Sequence, residues 1–141
     1  MLSQKVIAYL KLNNSWFDEI EPNDYEIILE KIGININSDF GKFYACAEEY
    51  AGGFHSKDFE LWQICWMYDN GDYLEIRKIM NKNLSLSDDY YILSEFEGEA
   101  AYFYNKTTQC VELIGYSESG IKKIQSWSSF NNFLEWYFNL N

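Results

Sequence analysis

A chain of 141 residues, 48% apolar and 19% aromatic, is long enough to bury a real core as one domain, and that composition excludes intrinsic disorder. Twenty-two acids against eleven bases leave a formal charge of −11, which repels nucleic acid and anionic lipid and attracts a basic partner. No apolar run approaches the roughly 20 residues of a membrane span, and the Val6 to Leu10 run after Lys5 lacks a signal-peptide cleavage pattern, so a cytoplasmic protein without a membrane role is expected.

Ser3 can cap a first helix with Val6, Tyr9 and Leu10 on its apolar side, ending near Asn13-Asn14. Trp16 and Phe17 fall in a connecting segment. A second helix is expected from Pro22-Asn23, where Pro suits the first helical position and Asn23 with Glu26 forms a cap; its stripe is Tyr25, Ile28, Leu29 and Ile32, and Gly33 stops it. The third helix begins at Ser38 with Asp39 in its first turn and carries Phe40, Phe43, Tyr44, Ala47 and Ala51 at helical spacing. Gly52-Gly53 reads as its end, because a phosphate loop would precede a helix rather than follow one.

Phe59 to Tyr68 is apolar on both alternating faces, as a central strand would be. The segment after Asp69-Asn70-Gly71-Asp72 fits either the second arm of a hairpin or a short helix on Tyr73, Ile76 and Met80, and the helix fits better. Three runs of β-branched and aromatic residues follow, Tyr90 to Phe96, Ala100 to Tyr104 and Val111 to Ile114, separated by turn residues; they predict an antiparallel meander. A last short strand is expected at Ile121 to Ile124. The closing helix starts at about Ser129 with Phe130, Phe133, Leu134, Tyr137 and Phe138 facing the core. The fold class is therefore α+β, with a twisted antiparallel sheet, and the expected core combines Tyr25, Ile28, Phe40, Phe43, Leu93, Phe103, Val111, Phe133 and Leu134.

The acidic excess is concentrated. Between Lys11 and Lys31 lie six acids and no base, and between Lys82 and Lys106 lie five more. From these stretches the candidate partner-binding residues are Asp18, Glu19, Glu21 and Asp24 in the first, and Asp88, Asp89, Glu95, Glu97 and Glu99 in the second. The second is the stronger candidate, because acids near Asp24 also serve a helix start; Glu112 and Glu118 serve as comparison acids. The bland alternative is solubility. Cys46, Cys65 and Cys110 are an odd, scattered set expected to be free buried thiols, and His55 has no second His near it, so neither a metal nor a cofactor is expected.

Three places resemble one family. Leu29-Glu30-Lys31-Ile32-Gly33-Ile34, followed by Ser38-Asp39-Phe40, Phe43 and Tyr50-Ala51-Gly52-Gly53-Phe54, is similar to the N-terminal pattern of the SUKH superfamily of yeast cell-wall-synthesis-regulator-like proteins. Tyr91-Ile92-Leu93 through Gly98-Glu99 and Tyr102-Phe103-Tyr104 to Thr107-Thr108 and Val111 resembles its meander, and Ser128-Ser129-Phe130 with Phe133-Leu134 its closing helix. Ser38 stands where the family usually has Pro, and Phe59 to Asn83 matches poorly. The resemblance implies an α+β fold, no enzymatic activity and, for bacterial members, an immunity protein that neutralises a cognate toxin domain, often a nuclease delivered by neighbouring cells. The expected partner is then a basic protein toxin, with no direct nucleic acid or membrane partner and a monomer when free. An intracellular adaptor of the same fold is the alternative. An enzyme using Glu95, Glu97 and Glu99 ranks third, because no nucleophile-base spacing accompanies them.

Overall fold

The computed structural model describes residues 1–18, 24–49, 52–96 and 99–141. Within them the chain runs α1 (Gln4–Leu12), α2 (Asp24–Lys31), α3 (Asp39–Cys46), β1 (Gly53–Phe54), β2 (Leu61–Trp62), α4 (Ile64–Asn70), α5 (Tyr73–Asn83), β3 (Tyr90–Ile92), β4 (Ala100–Asn105), β5 (Val111–Ser117), β6 (Gly120–Trp127) and α6 (Phe130–Tyr137). Strands β3 to β6 form a four-stranded antiparallel sheet in chain order, and β1 pairs with β2 in a separate hairpin. The fold is α+β.

Local chemistry sets the helix starts. Ser3, Ser38 and Ser129 each accept a hydrogen bond from the backbone N–H three residues on, satisfying a donor that the first turn would leave unpaired. Gly41, inside α3, is where the Asn35 carbonyl comes closest; a Cβ there would lie 2.2 Å from that oxygen. The expected start of α2 at Pro22-Asn23 lies outside the described residues.

Two expectations are overturned between residues 47 and 70. Helix α3 ends at Cys46, and Ala47 is extended, pairing with Trp16 as an antiparallel bridge, so Gly52-Gly53 is not its C-cap. Gly53 opens β1 instead, and Gly52, at φ +79°, lets the Trp66 ring approach within 2.3 Å of where a Cβ would sit. Phe59 to Tyr68 is not a central strand: only Leu61–Trp62 pairs as a strand, and α4 begins at Ile64. The break is made by Gln63, fully buried, whose Oε1 accepts from the Cys65 N–H at 2.8 Å while Nε2 donates to the carbonyls of Tyr44 and Ala47 at 3.0 and 2.7 Å. A side chain that caps a helix and closes two carbonyls at once outweighs strand propensity. The α5 helix and the antiparallel meander form, but the first strand stops at Ile92 rather than Phe96, the third runs on to Ser117, and β6 is twice as long as the Ile121 to Ile124 run.

The core lies between the sheet and helices α3 and α6. Phe40 stacks on Tyr104 at 4.0 Å between centroids and meets Phe130 at 4.9 Å, while Phe133 packs against Tyr102 and Trp127, each at 5.0 Å. Of the nine expected core residues all but Tyr25 are buried; Tyr25 is half-buried because its hydroxyl reaches out to Glu48 Oε1 at 2.5 Å. Glu112 is not a surface acid. It is 5% exposed, accepts from the Tyr90 hydroxyl at 3.0 Å and holds Lys123 Nζ at 3.0 Å. That pairing raises the Lys123 pKa.

Tyr137 ties α6 to the β1–β2 hairpin. Its hydroxyl lies 2.7 and 2.8 Å from the carbonyls of Phe54 and Phe59 and accepts from the Leu61 N–H at 3.1 Å. Burial pushes its phenol pKa up. Tyr137→Phe removes the hydrogen-bonding group but keeps the ring, so it should cost about 1–3 kcal/mol in urea unfolding, the penalty for buried backbone groups left unpaired. A change of under about 0.5 kcal/mol would show that the hairpin does not depend on this contact.

Candidate functional site

The short bridge between residues 15–17 and 46–48 builds an open cleft. Phe17 N–H donates to the Cys46 carbonyl at 2.8 Å and Glu48 N–H to the Ser15 carbonyl at 2.9 Å, which sets Phe17 beside the Glu48-Glu49 pair. Trp66 of α4, packed on Gly52, closes the far side. The cleft measures about 900 Å³ and is lined by Asn13, Asn14, Ser15, Phe17, Glu48, Glu49 and Trp66. None of these is basic.

Its electrostatics are one-signed. Glu48 is held by the Tyr25 hydroxyl and Glu49 Oε1 lies 3.3 Å from the Ser15 hydroxyl, so both carboxylates are oriented by neutral donors, and among the described residues neither forms an ion pair. Asp69 adds to the field of Glu48 on Cys65 and Tyr25, whose pKa values are both raised, chiefly by burial. Asp18 sits beside the cleft, accepting the Trp16 indole N–H at 2.5 Å and pairing with Lys11 at 3.5 Å; the indole hydrogen bond is the main reason its pKa falls. Phe17, 42% exposed, and the half-buried Trp66 supply ring surface next to carboxylate oxygens. Such a setting suits a lysine or arginine side chain, whose stem packs on the rings and whose charge meets the acids.

The acids named from the sequence do not form one surface. Glu19, Glu21 and Glu97 lie outside the described residues. Asp18 flanks the cleft and Asp24 opens α2, exposed. Asp88 and Asp89 lie before β3, where the Asp88 carbonyl accepts from Arg77 and the Asp89 carbonyl from Lys106 N–H at 2.9 Å. Glu95 and Glu99, both exposed, sit at the opposite end of the β3–β4 hairpin. The six residues of β4, which run between the two ends of the hairpin, put roughly 15–20 Å between the two groups. Glu48, Glu49, Phe17 and Trp66 were not singled out from the sequence. The available signal was the adjacent Glu48-Glu49 pair, hidden because the third helix was extended through it.

Among the described residues no group of three His, Cys, Asp or Glu side chains is arranged to hold a metal, and no helix is long and apolar enough to cross a membrane. His55 Nε2 lies 3.5 Å from Glu60, on the surface. Cys46 and Cys65 are buried free thiols, whereas Cys110, expected to be buried, is half-exposed because its backbone leaves β4 for the turn before β5. Burial raises the Cys46 and Cys65 pKa values, so a thiol reagent should modify Cys110 alone in the native protein and all three after denaturation. Fast native labelling of two or more thiols would contradict this packing. Compared with protein-family models, curated proteins and solved structures, the chain matches none.

Proposed function

We propose that this chain is a non-catalytic immunity protein that binds and neutralises a basic bacterial toxin domain, with a nuclease the best-fitting class. The observation that carries the proposal is the open cleft in which Glu48 and Glu49 stand beside Phe17 and Trp66 with no cation among the described lining residues. A nuclease must present cations to bind phosphates, and an inhibitor that offers carboxylates to the same cations competes directly with the substrate. The net charge of −11 draws such a partner from a distance, and the aromatic side chains provide the short-range anchors that charge alone lacks. The SUKH-like residue pattern supports the same reading, including a cytoplasmic location and a free monomer.

The test is direct. The purified chain is mixed with candidate basic nuclease toxin domains, beginning with any that a neighbouring reading frame encodes, and complex formation is followed by size-exclusion chromatography with light scattering while nuclease activity is assayed. A one-to-one complex and stoichiometric loss of activity are expected. Absence of a complex, or inhibition at far below one equivalent, would overturn the proposal, the latter because it would mean catalysis.

A further inference from the structure

A second groove, on the face formed by α5, the C-terminal end of α2 and the start of β3, has the opposite charge. It measures about 640 Å³ and is lined by Arg77, Lys78, Lys82 and Lys106, with Asp88 as its one acid and Ile32, Leu74 and Leu86 as its apolar surface. Four of the chain's eleven bases thus line one groove of a protein with twice as many acids. Among the described residues none of the four forms an ion pair with a carboxylate; the pairs present are Lys5–Glu135, Lys11–Asp18, His55–Glu60 and Lys123–Glu112.

Two of the cations, Arg77 and Lys106, are positioned by ring and backbone contacts. The Arg77 guanidinium stacks over the Tyr91 ring at 4.1 Å, and its Nε donates to the Tyr90 carbonyl at 2.9 Å. Tyr91 is itself anchored through its hydroxyl to the Ile32 carbonyl at 2.5 Å. Lys106 Nζ folds to within 3.3 Å of where a Cβ on Gly33 would sit, bringing its charge over the end of α2. Lys78 and Lys82 are four residues apart on α5, both exposed, where like charges repel each other unless an anion is shared between them.

We infer that this groove is a docking site for an acidic peptide segment of a second protein, with carboxylates meeting Lys78, Lys82 and Lys106 and an aliphatic side chain on Leu74. Leu74 is 47% exposed and flanked by Ile32 and Leu86, a floor that suits a leucine or isoleucine and gives a phosphate backbone nothing to contact. A nucleic acid is further disfavoured because the one aromatic ring in the groove, Tyr91, is buried with Arg77 over it, leaving no ring for base stacking, and because the whole chain carries −11. A short peptide with a few carboxylates feels mainly the local cations, since charges beyond about 8–10 Å are screened at physiological salt. The groove shares no lining residue with the acidic cleft, so the two sites stand or fall separately.

The experiment is selection from a random peptide library displayed on phage against the intact protein, after depletion on the K78E/K82E variant. Recovered peptides are then measured by fluorescence anisotropy, beside a labelled single-stranded oligonucleotide and a labelled copy of the chain itself. Peptides carrying Asp or Glu around a Leu or Ile are expected. Their affinity should fall by about 10-fold or more in K78E/K82E and in Lys106→Glu, and should be unchanged in F17A/E49K. Both lysines are exposed, and an unchanged melting temperature in K78E/K82E will show that lost binding is not lost folding. Recovery of no peptide that depends on Lys78 and Lys82, or of peptides without acidic enrichment, overturns the inference. So does lysine-dependent binding of the oligonucleotide or of a second copy of the chain more tightly than the peptides.

Discussion

Phe133→Ala is expected to lower the free energy of unfolding by about 3–5 kcal/mol, the range for removing a fully buried aromatic ring that its neighbours cannot replace. Phe133 has no exposed surface and touches five aromatic rings, those of Tyr102, Trp127, Phe130, Trp136 and Tyr137, from both the sheet and its own helix. Large rigid rings on every side cannot collapse into the vacated volume, which places the cost at the upper end. Urea unfolding followed by tryptophan fluorescence measures it. Ile124→Ala on the exposed strand β6 is the control, expected to change stability by under about 0.5 kcal/mol. A Phe133→Ala value as small as the control would mean that α6 does not close the core.

The second large effect is on partner binding, and two sets of acids should separate by their kinetics. In F17A/E49K the anchors inside the cleft are lost, so affinity for the toxin domain should fall roughly 30-fold or more, mainly through faster dissociation, as at buried contact positions. Changing Glu95, Glu97 and Glu99 together to Lys reverses the charge of this acidic stretch; it should slow association by about 10-fold at low salt and have little effect at about 0.5 M salt, where the field is screened. Glu118→Lys, on the exposed β5–β6 turn, is the proper comparison. Glu112 cannot serve, because it is buried between Tyr90 and Lys123 and its reversal would disturb the sheet. Stopped-flow and surface binding at two salt concentrations give both rates. Unchanged dissociation in F17A/E49K would remove the cleft from the interface, and salt-independent association in the triple variant would return those acids to a solubility role.

The starts of α1, α3 and α6, their buried faces and the antiparallel meander were legible along the chain because each depends on residues within a few positions of one another. Ser3, Ser38 and Ser129 cap their own helices, and the Phe130-Phe133-Leu134-Tyr137 stripe needs only helical spacing to show which side is buried. The run from Phe59 to Tyr68 was misleading because apolar residues on both sides of a segment do not distinguish a buried strand from a buried helix. Gln63 decided the matter through carbonyls at Tyr44 and Ala47, which lie 19 and 16 residues away in sequence. The surfaces were less legible still. Counting acids between bases detected the local excess at Asp88 to Glu99, but an antiparallel hairpin carries the two ends of such a stretch apart. Glu48 and Glu49 were invisible to that count because Lys42 and Lys57 flank them in sequence. Whether two charges act together depends on their separation in space, and it was the pairing of Trp16 with Ala47 that brought Phe17 to these acids.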